Sequence, residues 1–123
     1  MKTILKSFGY AVDGIIAALK TERNLRFHLL LSLVAIGLGI YLGLTAVEWS
    51  LVIFAIGLVI SAELFNTAIE RLGDETANGQ HNKTVKTAKD AAAGGVLVSA
   101  ITALAIGIII LVVPFIDKLS DLF

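Results

Sequence analysis

Cysteine is absent from this chain, which excludes a disulfide framework, an iron–sulfur cluster and a thiolate zinc site. No Walker-type loop and no kinase-type glycine-rich loop occurs, which argues against a soluble nucleotide-hydrolase fold. Net charge is lacking too, since ten Lys/Arg balance ten Asp/Glu, and no basic stripe forms, so nucleic acid is not an expected partner. Residues before Phe27 include Lys2, Lys6, Asp13, Lys20, Glu22, Arg23 and Arg26, with no sustained apolar core and no small-residue cleavage pattern. A removable signal peptide is therefore not expected. There is no internal repeat or low-complexity linker, and residues 1–123 read as a single domain.

What the chain does have is hydrocarbon. Hydrophobic residues make up 57% of it, against about 45–50% in ordinary soluble domains, and its mean hydropathy is +0.89. Three stretches carry no Asp, Glu, Lys or Arg: Phe27 to Val47, Trp49 to Ala62, and Ala91 to Ile116. The first and third exceed the roughly 20 residues that cross hydrocarbon as a helix; the second reaches that length only if Glu63 is counted inside it. The expected fold is an all-α membrane protein with transmembrane spans at about 27–47, 49–70 and 91–116. Ahead of them, residues 1–21 carry Ile4, Phe8, Ala11, Ile15, Ala18 and Leu19 at helical spacing. That pattern predicts an amphipathic helix lying in the membrane interface, its lysines towards anionic headgroups.

Nine of the ten basic residues fall before Phe27 or between Glu70 and Ala91, leaving only Lys118 beyond the third span. The positive-inside rule then places the N-terminus and the 71–90 loop in the cytoplasm, and the Gly43–Glu48 turn and C-terminus outside. The second span's helix is expected to run on to about Leu72; the polar, turn-rich run Gly73 to Asn82 reads as the cytoplasmic loop, and Lys83 to Asp90 as a helix start leading directly into the third span. Pro114, Asp117 and Lys118 mark the outer end of the last span. Three helices enclose little by themselves, which predicts a homo-oligomer.

The second span holds the residue that organises the functional reading. An ionisable group within hydrocarbon costs about 2.5–3.5 kcal/mol even on lenient insertion scales, yet Glu63 sits at the end of an apolar run. At about 100° per residue, Glu63, Asn66, Glu70 and Asp74 fall within an arc of about 80°. They form one polar stripe descending from the bilayer to its cytoplasmic edge. Oxygen donors at a wet interface suit Mg²⁺, which is typically held by one or two carboxylates plus substrate phosphates. Glu70 and Glu22 are candidate ligands. Glu63, withdrawn from water, is a candidate proton acceptor, and Asn66 can orient a phosphate or hydroxyl. Lys89 and Asp90 open the third span just before Ala91-Ala92-Ala93-Gly94-Gly95, where a lysine and a helix start suit phosphate. Read singly, Glu70 and Asp74 are equally solvated helix-end charges, Glu63 interhelical glue, and Lys89 a snorkelling lysine. His28 and His81 read as loop or interface residues rather than metal ligands.

Taken together, these segments resemble the prokaryotic diacylglycerol kinase and undecaprenol kinase family of small membrane lipid kinases. Glu63-Leu64-Phe65-Asn66-Thr67-Ala68-Ile69-Glu70 is similar to the signature E-x-x-N-[ST]-A-I-E. Ala88-Lys89-Asp90 followed by three alanines matches a second segment. Gly9-Tyr10, Gly14, Ala17-Ala18, Glu22 and Arg26 match a third. The resemblance implies a homotrimer whose active sites, shared between subunits, lie at the cytoplasmic membrane boundary. It implies Glu63 as general base on the lipid hydroxyl, and Glu22 and Glu70 as ligands of Mg²⁺ bridging the phosphates of ATP. Lys89 and Asp90 position the phosphate chain, Tyr10 and the Gln80-His81-Asn82 loop contact the nucleotide, and Asn66 and Asp74 support the site. Asn24 and Arg26, with their neighbours through His28, line the lipid entry. The chain departs from the pattern in its Asp74–Lys89 connection, one residue longer than in enterobacterial-type members, and at Thr3, where some relatives carry arginine.

The implied reaction is transfer of the γ-phosphate of ATP to a membrane lipid hydroxyl in a bacterial plasma membrane. Residues 22–28 look like the E-x-N-x-R-x-H of the undecaprenol branch, which implies undecaprenyl phosphate as product. The alternative is diacylglycerol as acceptor and phosphatidic acid as product. A proton-coupled transporter would account for Glu63 but leaves Glu22, Lys89 and Asp90 without a role. A non-catalytic assembly subunit would use Glu63 only as glue between helices.

Overall fold

The computed structural model describes residues 2–123, with side chains from residue 3 onward. Every element among them is helical: α1 (Lys2–Thr21), α2 (Arg23–Leu42), α3 (Ala46–Ala77), α4 (Lys83–Gly107), a π-helical turn (Ile108–Val112) and α5 (Val113–Leu122). Three helical segments are long and apolar enough to cross a membrane: Arg23–Leu42, Ala46–Ala77 and the continuous run Lys83–Leu122.

The amphipathic first segment is helical as expected, and its apolar residues Ile4 and Phe8 are exposed. One extended residue, Glu22 (φ −104°, ψ 108°), separates α1 from α2. The last four carbonyls of a helix have no intrahelical partner; one arginine serves such a carbonyl of α1 and a second meets its last turn. Arg26 Nη1 donates to the Leu19 carbonyl at 2.7 Å. Arg71, from the far end of α3, donates to the Ala17 carbonyl and to Thr21 Oγ1. Cations at a helix C-terminus also meet the negative end of its dipole. The same contacts thus tie α1 to both α2 and α3.

The first span ends earlier than hydropathy predicts, at Leu42 rather than Val47. Gly43 takes a left-handed conformation (φ 69°, ψ 54°) and returns its N–H to the Gly39 carbonyl, an ending open to glycine because it lacks Cβ. Thr45 then opens α3 with a capping box: Thr45 Oγ1 accepts from the Glu48 N–H, and Glu48 Oε1 accepts from the Thr45 N–H. Glu48 is therefore a cap. Gly43→Val should cost about 1–2 kcal/mol, the penalty for placing Cβ in a left-handed backbone. A lowered thermal midpoint in detergent at unchanged helical content checks it.

The second correction concerns the 71–90 segment. Gly73 to Ala77 are not loop: α3 continues unbroken through Gly73, Asp74, Glu75, Thr76 and Ala77, whereas α4 begins at Lys83 and runs on into the third span as expected. Polar composition reads as loop, but aspartate and glutamate do not stop a helix that packs against another. Gly73 permits that packing, since a Cβ there would lie 3.0 Å from Val85 Cγ1. The chain turns where left-handed backbone appears, at Asn78 (φ 49°) and Gly79 (φ 76°). Asn82 then caps α4 by accepting the Val85 N–H at 3.1 Å. At the opposite end Pro114, which has no N–H to donate, follows the π-helical turn. Lys118 there lies over the Tyr41 ring at 4.2 Å and donates to the Tyr41 carbonyl.

Most large apolar side chains, among them Phe27, Leu30, Ile53, Phe54, Leu97 and Ile101, face outward, as suits a hydrocarbon solvent. The buried face of α3 is narrow: Val52, Ala55, Val59, Glu63 and Thr67. Glu63 is thus a core position, turned away from the acyl chains.

Candidate functional site

Depth along α3 follows from helix rise. At 1.5 Å per residue, Glu63 stands about 26 Å from the helix start at Ala46, Glu70 about 36 Å and Asp74 about 42 Å. A hydrocarbon layer about 30 Å thick entered at Ala46 would end between Glu63 and Glu70, with Asp74 farther out. The stripe expected from spacing is present as a graded series.

At its deep end Glu63 is 3% exposed. Thr67 Oγ1 donates to the Glu63 carbonyl at 2.9 Å, so that hydroxyl serves backbone. His28 Nε2, from α2, stands 3.3 Å from Glu63 Oε1. This contact is close but not directed well enough to satisfy the oxygen. Glu63 Oε1 and Asn66 Oδ1 are both buried with no hydrogen-bond partner. Orphaned buried acceptors cost about 1–3 kcal/mol each. Two of them, one turn apart on the same stripe, mark a place prepared for a donor or cation. Asn66 uses its other end, with Nδ2 donating to Glu70 Oε1 at 3.4 Å. Glu22 and Glu70 both lie within electrostatic reach of Glu63.

Beyond the boundary the stripe opens into a cavity of about 480 Å³, bounded by Asp74, Ala77, Gly79–Asn82, Val85, Lys86, Lys89 and Asp90. Two ion pairs rim it: Lys89 Nζ to Asp74 Oδ1 at 2.6 Å across the α3–α4 turn, and Lys86 Nζ to Asp90 Oδ2 at 2.6 Å within α4. Lys89 is also within electrostatic reach of Glu70. One chain therefore brings together Asp74, Gln80, His81, Asn82, Lys89 and Asp90 around a cavity, with Glu63, Asn66 and Glu70 on the same stripe of α3 as Asp74 and Glu22 within electrostatic reach of Glu63.

Tyr10, Asn24 and Arg26 stand apart. Tyr10 is 71% exposed and does not bound this cavity. Asn24 is exposed, and Arg26 is engaged with the end of α1. Sequence reasoning passed over Lys86, and gave His28 a place at the lipid entry but no contact with Glu63. Lys86 carries a legible signal, an i,i+4 lysine–aspartate spacing with Asp90. The pairing of His28 with Glu63 carried none, because the two stand 35 positions apart (63 − 28) on separate helices.

A second, apolar cleft of about 430 Å³ runs between α2, α3 and α4, from His28 and Ser32 past Ala35, Val59 and Leu104 to Leu111. His28 stands at the end of this cleft that lies next to Glu63.

The sequence profile described as prokaryotic diacylglycerol kinase matches residues 9–111. The chain is 38% identical over 110 residues to the undecaprenol kinase of Bacillus subtilis (strain 168), covering 89% of each chain. It is 36% identical over 114 residues to a diacylglycerol kinase of Synechocystis, covering 93% of this chain but 65% of that longer one. A diacylglycerol kinase of Haemophilus influenzae is 30% identical over 96 residues, covering 78% of this chain and 80% of the relative. With the family profile spanning most of its length, and a buried carboxylate leading to a polar cavity at the edge of three membrane-length helices, the chain belongs to the prokaryotic diacylglycerol kinase family of lipid kinases.

Proposed function

We propose that this enzyme transfers the γ-phosphate of ATP to the hydroxyl of undecaprenol, giving undecaprenyl phosphate. The observation that carries the phosphotransfer reading is the continuous polar series from Glu63, submerged and unsatisfied, to the cavity rimmed by Lys89 and Asp90. It joins a buried base to a water-accessible anion site. Glu63 takes the proton of the acceptor hydroxyl, and Asn66, one turn away, steadies the transferring group. Lys89 and Asp90 position the phosphate chain, and Gln80, His81 and Asn82 receive the nucleotide. Asp74 holds Lys89 until phosphate replaces it.

The donor set fits Mg²⁺. Among the described residues no three His, Asp or Glu side chains converge as a complete cage. A nucleotide-bound Mg²⁺ needs only one or two carboxylates, with phosphate and water completing its shell. Glu70 and Glu22 are those carboxylates, and all donors are oxygen. Mg²⁺, when bound, supplies charge neutralisation on the phosphates, the main requirement of this chemistry.

Tyr10, Asn24 and Arg26 lie outside the cavity within one chain, which supports a homotrimer in which neighbouring subunits complete each site. Tyr10 then reaches a neighbour's nucleotide, and Asn24 and Arg26 border the lipid entry. The charge distribution supports a plasma-membrane protein with its N-terminus and residues 71–90 in the cytoplasm, α1 in the interface and the C-terminus outside.

Undecaprenol is favoured by Glu22, Asn24, Arg26 and His28 in their E-x-N-x-R-x-H spacing, and by full-length similarity to a protein named undecaprenol kinase. Diacylglycerol is the second reading, favoured by the relatives of that name. Purified protein in mixed micelles, given radiolabelled ATP and both lipids in competition, decides between them by mass spectrometry of the product. Undecaprenyl phosphate should predominate. Predominant phosphatidic acid would overturn the choice of acceptor, and no label in lipid would overturn the kinase reading.

A further inference from the structure

A general base must aim one oxygen at its substrate, and Glu63 is poorly anchored for that task. Its side chain has three rotatable bonds, its own helix supplies no hydrogen bond to the carboxylate, and Oε1 is unsatisfied. The group placed to hold it is on α2. His28 Nε2 lies 3.3 Å from Oε1, with the histidine side chain 22% exposed and the glutamate 5%. His28 is itself well seated. Leu25, one turn earlier, is 1% exposed and pins the start of α2; Ser32 Oγ donates to the His28 carbonyl at 2.8 Å. The imidazole also borders the apolar cleft, so a lipid hydroxyl approaching Glu63 from the hydrocarbon passes it.

We infer that His28 is the positioning residue of the catalytic base: a small rotation of the imidazole lets its Nε2–H donate to the unsatisfied Glu63 Oε1, 3.3 Å away, and so turns the other carboxylate oxygen towards the acceptor hydroxyl. Both the Nε2–H tautomer and the imidazolium donate at that atom, so the role does not depend on charge. The covalent chemistry is unchanged; the hydroxyl proton still goes to Glu63. The inference rests on the kinase reading and takes His28 beyond the lining of the lipid entry to the orientation of the base.

Paired amides test it. Gln places an N–H close to the position of His Nε2, whereas Asn is one bond shorter and cannot reach Glu63. Misplacing a reacting group by about 1 Å costs on the order of 10²-fold in rate. His28→Asn should therefore lower kcat by about that factor with KM for ATP unchanged, and His28→Gln should restore at least a tenth of wild-type kcat. Matched melting temperatures and oligomer size of the two variants exclude a folding defect as the cause. A His28→Asn enzyme with wild-type kcat, or one no worse than His28→Gln, overturns the role. An inactive wild type would instead overturn the kinase reading, so the two failures are distinct.

Discussion

Glu63→Gln will lower phosphate transfer to lipid by about 10²–10⁴-fold, the span attributed to a positioned general base, while nucleotide binding persists. Gln keeps the shape of the side chain and loses only the capacity to accept a proton at that place. The variant should not be less stable. Glu63 is 3% exposed, and a neutral amide at such a depth relieves the burial of an ionisable group. Its thermal midpoint in detergent should hold or rise. Loss of turnover with gain of stability separates a base from interhelical glue, for which stability would fall and turnover follow it. Lipid phosphorylation at the wild-type rate by Glu63→Gln would remove the base from the mechanism.

Glu70→Gln is expected to be the second large loss, on the order of 10²-fold, comparable to removing one preorganised electrostatic contact to a developing charge. The amide still accepts from Asn66 Nδ2, now 3.4 Å from Glu70 Oε1, so the local hydrogen bond survives. What goes is a negative charge at the hydrocarbon boundary. The Mg²⁺ concentration for half-maximal rate should therefore rise along with the fall in kcat. An Mg²⁺ titration superimposable on that of the wild type would show that Glu70 is not a metal ligand. The two variants differ in signature: Glu63→Gln leaves the Mg²⁺ dependence where it was, and Glu70→Gln moves it.

The corrections to the fold share a cause. Hydropathy ended the second span near Glu70 and read Gly73 to Asn82 as loop because those residues are polar. Polarity reports the solvent that suits a segment and not its backbone: α3 outlasts its apolar run and continues as the same helix through Gly73 to Ala77. Its end is set by left-handed backbone at Asn78 and Gly79. The early stop of α2 is the reverse case. Leu44 to Val47 are mostly apolar, yet Gly43 breaks the helix and Thr45 starts the next. Turn and cap chemistry overrode hydrophobicity in both places.

Patterns along one helix were legible without coordinates, because a period of 3.6 residues alone decides which side chains share a face. The membrane-length runs, the amphipathic start and the stripe from Glu63 to Asp74 all follow from it. Partnerships between helices were not. His28 meeting Glu63, Lys89 meeting Asp74, and Arg71 closing the end of α1 depend on the rotation and register at which separate helices pack. Those are set by small contacts such as Val85 against Gly73, and no spacing within a single helix encodes them.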